Sequence, residues 1–414
     1  MTSDQKQDRQ LLRAGYSETV ITPPVGFHIA GPEHPSRPAT DVTDDLLGRV
    51  LLLEARGVRA AIVTLDVWGV SESFATAVIE RISDAAVVDA SLVWIGVSGN
   101  ATSPPLWDAD NAEYAAYAAY VPQQLGGAAA LAAARMQNAE LGFTNALLGD
   151  LATSAYGRAY DINESVPIMV VDGVSGPIAR VIGFACPGSV AGIDPAVWTA
   201  DYPGYACWAL SEASGAEGCM FIRGPASDIR PFDWYEGNPA PGHTDRAAAD
   251  VQALGWLLAT QAGVAAQGAL LRRNIEIKAI VADSAPSGLG SVHGLSIGEG
   301  LFESFTAPLP SEFGTALREA SPDNTVFACA NLGGATFGQE SAVTDVEAVV
   351  ASYRQARYSF PPTGDNCPYG AAFGQFTNTA PTITATAPKT NVPVRDSSST
   401  AAPIAVAISG LKFT

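Results

Sequence analysis

Residues 176–231 read GPIARVIGFACPGSVAGIDPAVWTADYPGYACWALSEASGAEGCMFIRGPASDIRP, and this stretch decides the fold. Two apolar runs, at 179–185 and 219–222, each stop abruptly in a polar loop rich in Gly and Pro, as buried strands do. Between them Pro203-Gly204 opens a segment in which Tyr205, Ala206, Trp208, Ala209 and Leu210 are spaced like the apolar face of a short helix. Strand, helix and strand make an α/β crossover. Such sheets take ligands just beyond the carboxyl ends of their strands, so CPGSV at 186–190 and RGPASDIRP at 223–231 are where function is sought.

The chain around this unit has 414 residues and is 47% hydrophobic, enough for a large core. It carries 23 Lys and Arg against 42 Asp and Glu, a formal charge of -19. That field repels phosphate backbones and anionic leaflets, so neither nucleic acid nor a membrane is an expected partner. The first 18 residues carry charges where a secretory leader needs an apolar run, and no segment has the apolar length to span a bilayer. The expectation is a cytoplasmic protein acting on a small-molecule substrate, with homo-oligomerisation left open. The five cysteines, Cys186, Cys207, Cys219, Cys329 and Cys367, are odd in number and widely spaced. They read as buried thiols, not a disulfide framework or zinc knuckle.

Taken in order, residues 1–12 are expected to be a mobile tail, 13–375 one α/β domain of layered mixed sheets flanked by helices, and 376–414 a Thr/Ser/Ala/Pro-rich elaboration with a terminal strand near 404–408. Strand signals fall at 12–21, 91–98, 272–282 and 325–330. Hairpins are expected from 46–54 with 60–65 and from 167–171 with 177–184. Phe74, Val78 and Ile82, four residues apart, predict a helix over 72–85. An Ala-rich helix over 110–136 should break near Pro122 and Gly126-Gly127. Further helices are expected at 245–265, capped by Thr244, through 320 after Pro310-Ser311-Glu312, and at 343–355.

Asp66, Asn100, Arg223 with Asp228, and Asn331 each follow an apolar run, and converge if those strands share a sheet and a direction. Each taken singly reads as a turn residue or helix cap. Glu312 and Arg158 are independent nominations. There is no Gly-rich phosphate loop, no G-x-S-x-G elbow and no His-Glu-x-x-His helix. Cys186 has no visible base to activate it and reads as inert.

TVITPPVGFHIAG (19–31), RAAIVTLDVWGV (59–70), ADYPGYACWAL (200–210), GPASDIRP (224–231) and PSEF (310–313), in that order, resemble the catalytic domain of the neutral/alkaline non-lysosomal ceramidases. The resemblance spans about 13–360 and implies that family's α/β fold. It also implies hydrolysis of the amide of N-acylsphingosines by a zinc ion held by two histidines, a glutamate and a tyrosine. One histidine of that family lies in a Thr-His-Thr-His-Ser-Gly-Pro loop that matches residues 99–105, where Asn100 and Thr102 stand in place of histidines. The other lies in Ala-Cys-His-Pro-Thr, matching 185–189, where Pro187 replaces it. Glu312 fits the glutamate, Arg158 resembles an arginine of the family's pocket region, and Arg223 replaces an asparagine; the tyrosine is not placed.

An amide, a hydroxyl and a proline do not replace imidazole as zinc ligands. The expectation is therefore no metal and no cofactor, with His28, His34, His243 and His293 as surface or packing residues. Proton transfer is then expected from Asp66, Glu312 and Asp228, with Arg223 facing developing negative charge, and Asn100, Thr102, Ser103, Arg158, Asp201 and Tyr202 holding the substrate. Hydrolysis, elimination and cyclisation all fit. The alternatives are a non-catalytic ligand-binding protein, to which Trp68, Trp107, Trp234 and Tyr235 would contribute, and an amide hydrolase with a rebuilt metal site.

Overall fold

The computed structural model describes residues 11–29, 36–108, 111–149, 151–154, 163–191, 196–231, 244–281, 289, 292–330 and 346–358. The chain divides into two units, 1–360 and 361–414. The second lies outside the described residues, and with it the expected strand at 404–408.

In the first unit the crossover is present. β7 (Gly176–Phe184) pairs in parallel with β8 (Gly218–Arg223), Ala179 opposite Gly218 and Phe184 opposite Arg223. Helix α3 (Asp201–Ser214) joins them and ends at Gly215, whose φ of 65° supplies the left-handed cap. It buries Tyr202, Ala206 and Leu210 at four-residue spacing. Trp208, assigned to the buried face from sequence, instead turns outward and is 54% exposed. The helix begins two residues before Pro203, so its inner stripe is set by Tyr202, and Pro203 falls in the first turn, where its missing N–H costs nothing.

Six further strands complete the large sheet. They are β1 (Arg13–Val20), β2 (Leu47–Ala55), β3 (Val58–Leu65), β4 (Val93–Val97), β5 (Gln137–Leu147) and β6 (Ser165–Gly173), in the order β8-β7-β6-β5-β1-β2-β3-β4. The β2–β3 hairpin turns on Arg56 and Gly57, both with positive φ (52° and 82°); this two-residue geometry matches the twist of the strands it joins. β3 and β4 are parallel, linked through helix α1 (Glu72–Ala86). Ser71 caps α1 by accepting from Phe74 N at 3.2 Å, and the predicted Phe74, Val78 and Ile82 are buried. The sheet curls until a Cβ on Gly96 of β4 would lie 3.5 Å from Ile222 of β8.

Two sequence expectations need correction. Helix α2 (Ala115–Ala134) runs unbroken through Pro122 and Gly126-Gly127. A side chain at Gly126 would meet Arg81 at 2.7 Å, so that glycine serves the close approach of α1 and not a break. Leu12, counted both as the last residue of the tail and as the first of the strand at 12–21, is fully buried and donates its N–H to Arg273 O at 2.9 Å.

A second sheet of order β9-β10-β11-β12 is made by β9 (Ile277–Val281), β10 (Val292–Ile297), β11 (Gly300–Phe305) and β12 (Thr325–Cys329). The β10–β11 hairpin was not anticipated, since neither VHGLSI nor GLFESF alternates with period two: β11 is buried along its whole length. Phe302 and Phe327 stack at 4.5 Å inside the curl, and Trp94 of β4 meets Phe302 edge-on at 5.5 Å. Helices lie on the outer side, α3 with α4 (Thr244–Ala266) over the β5–β8 half. Helix α5 (Ser311–Glu319) and α6 (Val346–Tyr358) share a core with the far face of the second sheet. The fold is thus α/β, with layered mixed sheets and flanking helices.

Candidate functional site

The loops that leave β4 and β7 are laced together by backbone hydrogen bonds. Ala101 N donates to Gly188 O at 2.8 Å and Gly188 N to Gly99 O at 3.0 Å. This brings the strand ends carrying Asp66, Asn100, Cys186 and Arg223 into one layer, as the crossover implied.

Asn100 is fully buried at its centre. Its Nδ2 donates to Thr199 O at 2.7 Å and to Asp66 O at 3.3 Å, while its Oδ1 accepts from Thr102 N at 3.0 Å and Thr102 Oγ1 at 2.9 Å. The Thr102 hydroxyl also reaches Thr199 O at 2.8 Å. Ser103 Oγ donates to Asn100 O at 2.7 Å and accepts from Trp68 N at 2.9 Å. Donors and acceptors in this cluster are thus used among themselves, as buried polar groups require.

Asp66 lies beside this cluster. Its Oδ1 accepts from Arg49 Nη1 at 2.7 Å and its Oδ2 from Leu47 N at 3.0 Å, with the two side chains only 2% and 4% exposed. Burial works against the Arg49 charge, and its neighbours, Asp66 foremost, together more than offset it, holding the guanidinium well above its usual range. Arg49 was missed from sequence. Its signal was a single cation inside LLGRVLLLE, since a charge in a buried strand demands a partner.

Two acids secure the start of α3. Asp44 accepts from Thr199 Oγ1 and from Ala200 N, both at 2.6 Å, and burial raises its pKa. Asp201 is fully buried at a left-handed φ of 54°, a strained conformation for a residue with a side chain. Its carboxylate accepts from Ala191 N at 2.7 Å and from Tyr202 N at 2.6 Å, but burial dominates and pushes its pKa up to about 6. Tyr202 OH donates to Cys186 O at 2.6 Å. Cys186, Cys207, Cys219 and Cys329 are all free and buried; burial pushes the Cys186, Cys219 and Cys329 thiols up, away from the nucleophilic thiolate.

Arg223, the last residue of β8, is built differently. It is 3% exposed and lies over the Trp68 ring, 4.9 Å from its centroid. Nη2 donates to Ala330 O at 2.8 Å, while Nε is buried without an acceptor among the described residues. Gly99 makes room for it: φ is +67°, and a Cβ there would stand 2.3 Å from Arg223 Cδ.

Asp228 and Glu312 meet at the start of α5. Asp228 Oδ1 accepts from Ser311 N at 2.8 Å, capping the helix whose first turn carries the exposed Glu312. Further along α5, Arg318 Nη1 donates to Asn163 Oδ1, and both line a crevice of about 30 Å³ with Phe184, Gly224, Pro225 and Ala328. Arg158, His34, His243, Asn331, Trp234 and Tyr235 lie outside the described residues. His28 Nδ1 is 2.7 Å from Ser36 Oγ, and His293 Nε2 is 3.1 Å from Ser91 O. Among the described residues no three His, Cys, Asp or Glu side chains group as metal ligands, and no helix is long and apolar enough to cross a membrane.

No family model and no curated protein matches the sequence. Among solved structures the chain is similar to the neutral ceramidase from Pseudomonas aeruginosa. The TM-score is 0.61 at 12% identity, covering 84% of this chain and 73% of that one. It is also similar to a ceramidase complexed with C2, with a TM-score of 0.63 at 13% identity, covering 84% and 74%. At these identities the likeness is one of fold: this chain has the layered α/β architecture of a ceramidase.

Proposed function

We propose that the protein is a metal-independent enzyme that works by carboxylate acid/base chemistry on a small or medium organic substrate at the carboxyl ends of β4, β7 and β8. The observation that carries this reading is the end of the β7–β8 crossover. There a buried cation, Arg223, is followed five residues later by Asp228, which holds the helix bearing Glu312. Glu312 is the acid or base and Arg223 faces negative charge on the substrate. Asp228 positions Glu312 through the Ser311 N–H. Asp66 has both oxygens engaged, so it acts by fixing Arg49 and the strand ends.

The ceramidase fold brings a zinc site to mind, and the donors at the matching positions do not fit one. The Asn100 oxygen and nitrogen and the Thr102 hydroxyl are spent on each other and on Thr199, and Pro187 offers no side-chain donor. No step is therefore routed through a metal.

A second reading, a ligand-binding protein without turnover, is favoured by how few acids at the strand ends are left unengaged. The test is turnover of a panel of small esters, amides and lactones by wild type, Glu312→Gln and Asp228→Asn. Glu312→Gln should lower kcat by about 10²-fold or more. Asp228→Asn keeps an acceptor for Ser311 N and should lower it far less. Full activity in Glu312→Gln rejects the assignment. Absence of turnover with retained binding transfers the conclusion to the second reading.

A further inference from the structure

We propose that Arg223 is the receptor for a carboxylate on the ligand, so that the site takes small organic monocarboxylates. The inference deepens the proposed function and rests on its placing the ligand at these strand ends. Other buried or half-buried arginines of the sheets have a carboxylate opposite: Arg49 has Asp66 at 2.7 Å, Arg59 has Glu54 at 2.5 Å and Arg180 has Asp172 at 2.7 Å. Arg223 is as buried as Arg49, yet among the described residues no carboxylate pairs with it. Among the described residues one of its five N–H donors reaches an acceptor, Ala330 O, and Nε meets none.

A guanidinium with no counter-charge is among the costliest groups to bury, and native structures keep such groups where something completes them. The described surroundings do not neutralise it: among the described residues the groups that feel its charge are Cys329, Tyr202 and Cys186, all held uncharged by burial. The arrangement is built and not incidental. Trp68 supports one face, and the left-handed Gly99 lets the side chain lie directly against the backbone, where a Cβ would stand 2.3 Å from Cδ and 2.9 Å from both Nε and Nη1. A guanidinium stays protonated even when desolvated. What completes it is an anion with planar, paired acceptors, which a carboxylate has. A phosphate dianion is disfavoured, because one guanidinium balances one charge and the chain as a whole carries -19.

The experiment uses the full chain at neutral pH and low salt, with butyrate, butyramide and inorganic phosphate as probes. It reads binding by Trp fluorescence and calorimetry and the shift in Tm that each probe gives. Wild type should bind butyrate at least about tenfold more tightly than butyramide or phosphate, with a rise in Tm for butyrate alone. Arg223→Met should bind butyrate and butyramide alike, and Arg223→Lys should recover part of the difference. Equal binding of butyrate and butyramide by wild type, tighter binding of phosphate, or an undiminished butyrate preference in Arg223→Met each overturns the proposal. The wild-type comparison stands even if Arg223→Met does not fold. Loss of the butyrate preference with turnover still dependent on Glu312 rejects the carboxylate receptor alone. Preference retained with no turnover by any substrate rejects the enzyme reading alone.

Discussion

Asn100 follows β4 and Arg223 ends β8, the two edge strands of one curled sheet, and the two are finished in opposite ways. Around Asn100, amide, hydroxyls and backbone close a hydrogen-bonded ring with Thr102, Ser103 and Thr199. Around Arg223, a cation of similar burial keeps a donor without an acceptor among the described residues. A closed polar network stabilises a fold and leaves a ligand nothing to bind; an open one costs stability and marks where a ligand belongs. In this chain the polar residues beyond β4 serve as framework, and among the described residues an unsatisfied guanidinium donor sits at the end of β8.

The comparison breaks most visibly at Asp66. Asp66→Ala leaves Arg49 buried without its partner and strips Leu47 N of its acceptor, so unfolding stability should fall by about 3–5 kcal/mol, read by urea denaturation. A loss under about 1 kcal/mol would mean that the Arg49–Asp66 pair is not part of the framework. Asn100→Ala leaves the Thr102 amide and Thr199 carbonyl short of partners. It should cost about 2–3 kcal/mol while butyrate affinity per folded molecule changes little. A selective loss of butyrate binding would place Asn100 in the ligand site instead.

A third effect is a pH dependence at the start of α3. Asp201 has its folded pKa raised to about 6 and Asp44 is raised too. Between the usual carboxylate range and pH 6 the unfolded chain has therefore lost protons that the folded chain keeps. Stability then falls as pH rises through about 4–6 and levels off above it. For Asp201 alone the span is about 3 kcal/mol. Asp201→Asn, which also tolerates the left-handed φ better, should flatten this slope while Asp44 leaves a remainder. A slope unchanged in Asp201→Asn would remove Asp201 as its source.

Much of this architecture was legible because local pattern and global fold agree. The abrupt ends of 179–185 and 219–222, the four-residue spacing of Phe74, Val78 and Ile82, and the short ARGV turn each specify one element without help from a distant partner. What escaped reading depended on tertiary contact. Gly126 resembles a breaker until α1 packs against it, and Trp208 resembles a core residue until the helix start fixes which side faces the sheet. The candidate site divides the same way. Asp66, Asn100, Arg223 and Asp228 were identified as residues at strand ends, because position after an apolar run is a local property. Their partners Arg49, Thr199 and Ser311 lie 17, 99 and 83 residues away. No local pattern separates an acid awaiting substrate from one already committed to such a partner.

The most direct measurement is a crystal structure of the protein with butyrate bound. The account predicts the carboxylate at about 2.8 Å from Arg223 Nε, with the Asn100–Thr102–Thr199 hydrogen bonds unchanged. Butyrate bound through Asn100 or Thr102, or lodged in the Asn163–Arg318 crevice with Arg223 Nε still lacking an acceptor, would contradict it.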